Sequence, residues 1–163
     1  AGSPITAEGW RNDDALQLMA ASSVTLPYEL VNPVALKAPV APHIAAQQEG
    51  KAVTLARLAG YVRGALSAHK ADLILIEGAG GWRVPLNDRE MLSGLAAELE
   101  LPVIQVVGMK LGCINHALLT AEAIKKDGLR YAGTMANCFG SMAVQEENLL
   151  TLRQHLPGAF AVV

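Results

Sequence analysis

Two acidic side chains stand where a divalent cation could be held. Glu77 ends a continuous apolar run, Asp72-Leu73-Ile74-Leu75-Ile76, and is followed by Gly78-Ala79-Gly80-Gly81-Trp82. Three glycines in four positions let the backbone approach a ligand or take positive φ. A lone carboxylate there suits Mg²⁺, which takes one or two protein carboxylates and keeps water and phosphate oxygens in its other positions. The plain alternative is a tight turn with a solvated Glu. An apolar strand buried on both faces before the turn argues against it, because an unpaired carboxylate there is costly. Asp14 lies near the start of a short helix. It can cap that helix, contribute to its first-turn electrostatics or reach a metal; from the residues alone, capping is the commoner fate.

Two further loops follow apolar runs. Pro102 to Gly108 runs into Met109-Lys110-Leu111-Gly112-Cys113-Ile114-Asn115, with a helix starting near Ile114. Free N–H groups and the dipole at a helix start bind carboxylates or phosphates, and Gly112 would let an anion approach. An ordinary strand-to-helix loop capped by Asn115 is at least as good a reading of this stretch alone. A third run ends at Ala136-Asn137, and an Asn amide offers the donor and acceptor that suit a purine edge. By itself, a turn-forming Asn is the better reading. The histidines at 43, 69, 116 and 155 form no catalytic or metal-binding pattern. The motif G-x-x-x-x-G-K-[ST] is absent. The Gly50-Lys51 pair is followed by Ala52 and has Ala45 where the first glycine would stand.

These loops need elements to position them. Strands are expected at 72–76, 102–108 and 131–137. Helices are expected over 15–23, capped by Asn12 or Asp13, and over 53–68, 91–98, 114–126 and 144–156, with Gly128 just past the fourth. In the 53–68 segment, Leu55, Leu58, Ala59, Val62 and Leu66 recur at helical spacing. Thr25 to Pro42 holds four prolines and is expected to be irregular. Alternating strands and helices give a parallel α/β sheet whose ligands collect at the carboxyl ends of the strands. The 163 residues fit one domain, and the 52% apolar, 17% charged composition suits a folded core. A net charge of −2 gives no general pull toward nucleic acid, and no apolar run is long enough to span a bilayer. The stretch AGSPITAEGW has neither a basic start nor an apolar core, so no secretory signal is expected there. Cys113 and Cys138 lack metal-ligand spacing and are expected to be reduced thiols of a cytoplasmic protein.

Taken in order, Glu8-Gly9-Trp10-Arg11-Asn12-Asp13-Asp14-Ala15-Leu16, Val31-Asn32-Pro33, Pro42-His43, Glu77-Gly78-Ala79-Gly80-Gly81, Leu101-Pro102-Val103, Lys110-Leu111-Gly112-Cys113-Ile114-Asn115-His116-Ala117 and Ala136-Asn137 resemble the dethiobiotin synthetases. GAGGW and KLGCINHALLT are the specific pieces. The resemblance implies a three-layer α/β fold with a mostly parallel sheet of the P-loop NTPase type. It implies an ATP- and Mg²⁺-dependent ligase that makes dethiobiotin from diaminopelargonate (7,8-diaminononanoate) and CO₂ in biotin biosynthesis. One amine captures CO₂ as a carbamate, the carbamate attacks the γ-phosphate, and the second amine closes the ring on the activated carbonyl. Carried over by position, Asp14 and Glu77 are the magnesium carboxylates and also meet the nucleotide, which reverses the preference for Asp14 as a cap. Gly80 falls where the family's loop meets substrate or nucleotide, and is carried over as a nucleotide contact. Cys113, Ile114 and Asn115 match the turn that holds the substrate's tail carboxylate through backbone N–H groups, across a homodimer interface. Asn137 matches the adenine-reading Asn.

The family's first strand, its P-loop, and the further lysine that attends carbamate formation would precede Ala1. Ala1 falls where many members carry a serine near the substrate, and the family would continue beyond Val163 toward the adenine pocket. The expectation is therefore a single partial domain over 1–163 that does not close the ring unaided. Cys138-Phe139-Gly140-Ser141 also replaces the family's proline-containing loop. Two other readings are open. One is a non-catalytic relative that kept the sheet and serves as a binding or interaction module, its exposed sheet edge seeking a partner. The other is a different ATP-dependent ligase or amidotransferase of the same broad class, against which the CINHALLT turn argues.

Overall fold

A computed structural model describes residues 2–7 and 9–163; Ala1 and Glu8, which both figure in the resemblance, lie outside the described residues. The chain divides into two compact units, Ala1–Leu95 and Ala96–Val163.

The first unit opens with a two-stranded antiparallel pair, β1 (Ile5–Thr6) and β2 (Gly9–Trp10). Helix α1 (Asp13–Ala21) follows, and Asn12 caps it: its side chain accepts from the Ala15 N–H at 3.2 Å. Asp13 and Asp14 then fall in the first turn, where negative charge complements the helix dipole. The proline-rich segment is less irregular than its composition suggests. It holds the single turn α2 (Tyr28–Val31) and ends at α3 (Pro42–Gln48). Pro42 stands in the first turn of α3, where its missing N–H would have had no helical partner. Helix α4 (Leu55–Ala68) is capped by Thr54, whose side chain accepts from the Arg57 N–H. Leu36, Ala45, Ala46, Val53 and Leu86 form the buried centre of this unit. Helix α5 (Ser93–Glu98) begins against α4 so closely that a Cβ on Gly94 would sit 2.6 Å from Leu55 Cδ1.

The strand expected over 72–76 is not formed. Its residues belong to no strand, and Leu73 and Leu75 are 74% and 73% exposed. An apolar run becomes a buried strand only when a neighbour supplies the ladder and a second layer covers it. Among the described residues, nothing pairs with this segment. The burial invoked for Glu77 fails with it: Glu77 is exposed.

The second unit is a regular βαβαβ arrangement: β3 (Val103–Gly108), α6 (Cys113–Lys126), β4 (Tyr131–Asn137), α7 (Gln145–His155) and β5 (Ala159–Val162). The strands are parallel in the order β3-β4-β5, with Gly108 beside Asn137 and Ala136 beside Val162. Strand β5 was not expected; four residues between a Pro-Gly turn and the last residue carry too little pattern to announce a strand. Both glycines at this joint are constrained. Gly158 has φ +79°, and a Cβ on Gly133 would meet the Ala159 carbonyl at 2.5 Å. Helices α6 and α7 share one core with the sheet, centred on Val107, Ala117, Ala121, Ala136, Leu149 and Leu152. Alanines at 117 and 121 are one helical turn apart and let α6 lie close to the strands. Fully burying a side chain such as Leu152 contributes about 1.5–3 kcal/mol. Helix α6 ends at Lys126 with Asp127 as its C-cap, followed by Gly128 with φ +79°, as expected of a glycine just past a helix.

Candidate functional site

In the first unit, the start of α1 is held from two sides. The Asn12 backbone N–H donates to the Tyr28 hydroxyl at 2.8 Å, and Asn32 Nδ2 donates to the same oxygen at 2.9 Å. The Arg11 guanidinium lies 4.1 Å from the centre of the Tyr28 ring and 3.4 Å from Glu29 Oε1. Asn12 in turn caps α1, so the capping role weighed for Asp14 belongs to Asn12 instead. The Asp14 carboxylate is exposed in the first helical turn.

Glu77 is exposed at the mouth of the glycine turn. Gly80 and Gly81 have φ of +84° and +132°, a conformation that strongly favours glycine, and a Cβ on Gly80 would press on Val84 Cγ2 at 3.3 Å. Among the described residues, no three His, Cys, Asp or Glu side chains gather as a metal-holding group. Asp14 and Glu77 are both exposed carboxylates, the oxygen chemistry that Mg²⁺ takes one or two at a time beside water and phosphate.

In the second unit, β3 and β4 bring two of the expected site segments side by side. Gly108 is in register with Asn137, and the Met109 N–H donates to the Asn137 carbonyl at 2.9 Å. The Asn137 side chain is half-buried and makes no hydrogen bond among the described residues, so its amide is available to a ligand. Gly112, at φ +92°, is the N-cap of α6 and offers no side chain to the first-turn N–H groups. The Cys113 N–H is already used, donating to the Lys110 carbonyl at 3.0 Å, and the Cys113 side chain is core. The open donors of this turn are therefore those of Ile114 and Asn115. Ile114 is partly buried against the core and Asn115 is exposed. A 14-residue helix with an uncapped N-terminus attracts an anion at that end.

Sequence reasoning overlooked Tyr28 and Gln105. Gln105 is buried in β3. Its Nε2 donates to the Ala117 carbonyl at 3.2 Å, and its Oε1 accepts from the Tyr131 hydroxyl at 3.0 Å. Burial pushes the Tyr131 phenol above its ordinary value, a shift partly opposed by its hydrogen bond with Thr134. A single polar residue inside PVIQVVG was the available signal, since a buried amide must find partners. Tyr28 had no such signal; only the fold shows that its hydroxyl meets residue 12.

The chain is similar to known proteins along almost its whole length. The family described as AAA domain matches residues 3–157. The ATP-dependent dethiobiotin synthetase BioD of Cellvibrio japonicus is 56% identical over 158 residues, covering 96% of this chain and 68% of that protein. The proteins of the same name from Marinobacter nauticus and Pseudomonas paraeruginosa are each 54% identical over 157 residues. They are covered over 67% and 68% of their lengths, so the chain spans about two thirds of these relatives. Among the described residues, no helix is long and apolar enough to cross a membrane. Identity at this level across both units leaves the non-catalytic module and the other ligase classes without support: the chain belongs to the dethiobiotin synthetase family.

Proposed function

We propose that this chain carries part of the machinery of an ATP-dependent ring-closing ligase of biotin biosynthesis, acting on diaminopelargonate and CO₂. The single observation that carries this is 56% identity to a dethiobiotin synthetase through both units, with the acidic, glycine-rich and helix-start loops all present. One continuous family match spanning both units supports treating residues 1–163 as one functional domain.

The reaction forms a carbamate on one substrate amine, transfers the γ-phosphoryl group to it, and expels phosphate as the second amine closes the cyclic urea. Such chemistry asks a protein chiefly for positioning and for charge stabilisation. The N–H groups of Ile114 and Asn115 would hold the substrate's tail carboxylate at the start of α6, in the turn led by Gly112 and Cys113. The half-buried Asn137 amide would read the adenine edge. Gly80 would allow the nucleotide close to the backbone, and Asp14 and Glu77 would hold Mg²⁺ beside it. Bound there, Mg²⁺ would supply positive charge to the phosphate oxygens. The protein would work as a homodimer in the cytoplasm, each start of α6 serving the partner's substrate.

The test is product formation by the intact protein given diaminopelargonate, bicarbonate, ATP and Mg²⁺. Dethiobiotin, ADP and phosphate in equal amounts are expected by mass spectrometry and phosphate release. ATP hydrolysis without dethiobiotin would overturn the proposal.

A further inference from the structure

We propose that Tyr28 is a positioning residue for Asp14, acting through Asn12. This rests on the assignment of Asp14 to the cation site above. The Tyr28 side chain is buried, and its hydroxyl oxygen accepts from the Asn12 N–H at 2.8 Å and from Asn32 Nδ2 at 2.9 Å. Both lone pairs of that oxygen are thereby directed. Asn12 has no slack left: its N–H is held by Tyr28, its side chain by the Ala15 N–H and its carbonyl by the Leu16 N–H. The residue two positions on is Asp14, exposed and, among the described residues, with no side-chain hydrogen bond of its own. Its backbone direction is set by the cap, and the cap is set by the tyrosine. Arg11, stacked on the same ring and paired with Glu29, keeps the ring in place from its outer face.

A hydroxyl at this place is not needed for packing. A buried phenylalanine would fill nearly the same volume and would leave two donors, the Asn12 N–H and the Asn32 amide, without an acceptor. The cap would then be free to turn, and the carboxylate two residues later would lose its preset direction. A ligand group that must be immobilised on binding binds more weakly than one already fixed.

The test titrates Mn²⁺ in the presence of ADP, with free Mn²⁺ followed by electron paramagnetic resonance, on the intact wild-type protein and on Tyr28→Phe, Asp14→Asn and the double variant. Tyr28→Phe is expected to weaken Mn²⁺ binding about three- to tenfold, the effect of one lost net hydrogen bond carried into binding. In turnover assays it should raise the Mg²⁺ concentration needed for half-maximal rate while leaving kcat at saturating Mg²⁺ near wild type. The double variant should bind Mn²⁺ no more weakly than Asp14→Asn alone, because the tyrosine acts only through that carboxylate. Wild-type Mn²⁺ affinity in Tyr28→Phe beside a weakened Asp14→Asn would sink the role of Tyr28 and leave the cation site standing. Unchanged affinity in Asp14→Asn would sink both. Additive losses in the double variant would also overturn the proposal. Should Tyr28→Phe not fold, 3-fluorotyrosine in place of Tyr28 keeps the ring and the hydroxyl, weakens that oxygen as an acceptor from the Asn12 N–H, and is read in the same way.

Discussion

Gln105 in the middle of β3 donates a hydrogen bond to the carbonyl of Ala117 in the second turn of α6, at 3.2 Å. That bond fixes the helix whose first turn would hold the substrate carboxylate against the strand whose end faces Asn137. Gln105→Leu leaves the Ala117 carbonyl and the Tyr131 hydroxyl short of a buried partner. A loss of about 1–3 kcal/mol in unfolding free energy is expected from chemical denaturation. The KM for diaminopelargonate should rise more than kcat falls.

Gly112 and Gly133 separate conformational strain from steric clash. A Cβ on Gly112 meets nothing within 4 Å, but its φ of +92° strains any other residue. Gly112→Ala should cost about 1–2 kcal/mol and disturb the start of α6. At Gly133 the obstacle is the Ala159 carbonyl, 2.5 Å away, so Gly133→Ala must push β5 off β4. A loss of about 1–3 kcal/mol is expected there, with weaker amide-exchange protection of Ala159 to Val162 as the local sign.

The contrast between the two units explains what the residues could and could not announce. Both strands expected in the second unit formed within a residue of their expected limits, because their neighbours are close in sequence and complete the ladder. The strand expected at 72–76 had the same apolar signature and did not form, because no described segment pairs with it. Periodicity reports which faces want burial and says nothing about whether a partner is present. The same limit applied at the site. The glycine turn and the helix start were legible as local motifs, but the N-cap is Gly112 and not the Asn115 that the residues alone offered. The link from Tyr28 to Asn12 joins residues 16 positions apart and exists only once the chain has folded.

Glu49 gives the first unit an acid-sensitive contact. Its carboxylate lies 2.7 Å from Lys51 Nζ and accepts from the Lys37 N–H at 2.7 Å. The Lys51 contact first, and the Lys37 N–H second, hold its pKa below the ordinary 4.5. A carboxylate depressed in the folded state stabilises above its unfolded pKa, and that contribution is lost as pH falls through the folded pKa. Glu49→Gln should therefore lower the urea midpoint relative to wild type at about pH 7, with the gap closing by about pH 3. A gap that widens on acidification would contradict this.

Val144, the N-cap of α7, sits at φ +51° and is 63% exposed. A β-branched residue in the left-handed region is strained, and nothing buried compensates for it. Val144→Asn keeps the carbonyl that accepts from Asn148 Nδ2 and suits the conformation better. It should raise stability by about 0.5–1 kcal/mol in thermal denaturation, with kcat unchanged.

The central claim is that Asp14 and Glu77 serve one divalent cation, and a double-mutant cycle on the Mg²⁺ dependence of dethiobiotin formation tests it directly. In the intact protein, Asp14→Asn and Glu77→Gln should each lower kcat/KM by about a hundredfold or more while leaving the fold intact, since both side chains are exposed. The pair together should cost little beyond the worse single change, as groups acting as a unit do. Wild-type Mg²⁺ dependence in either single variant, or fully additive losses in the double, would contradict the shared site.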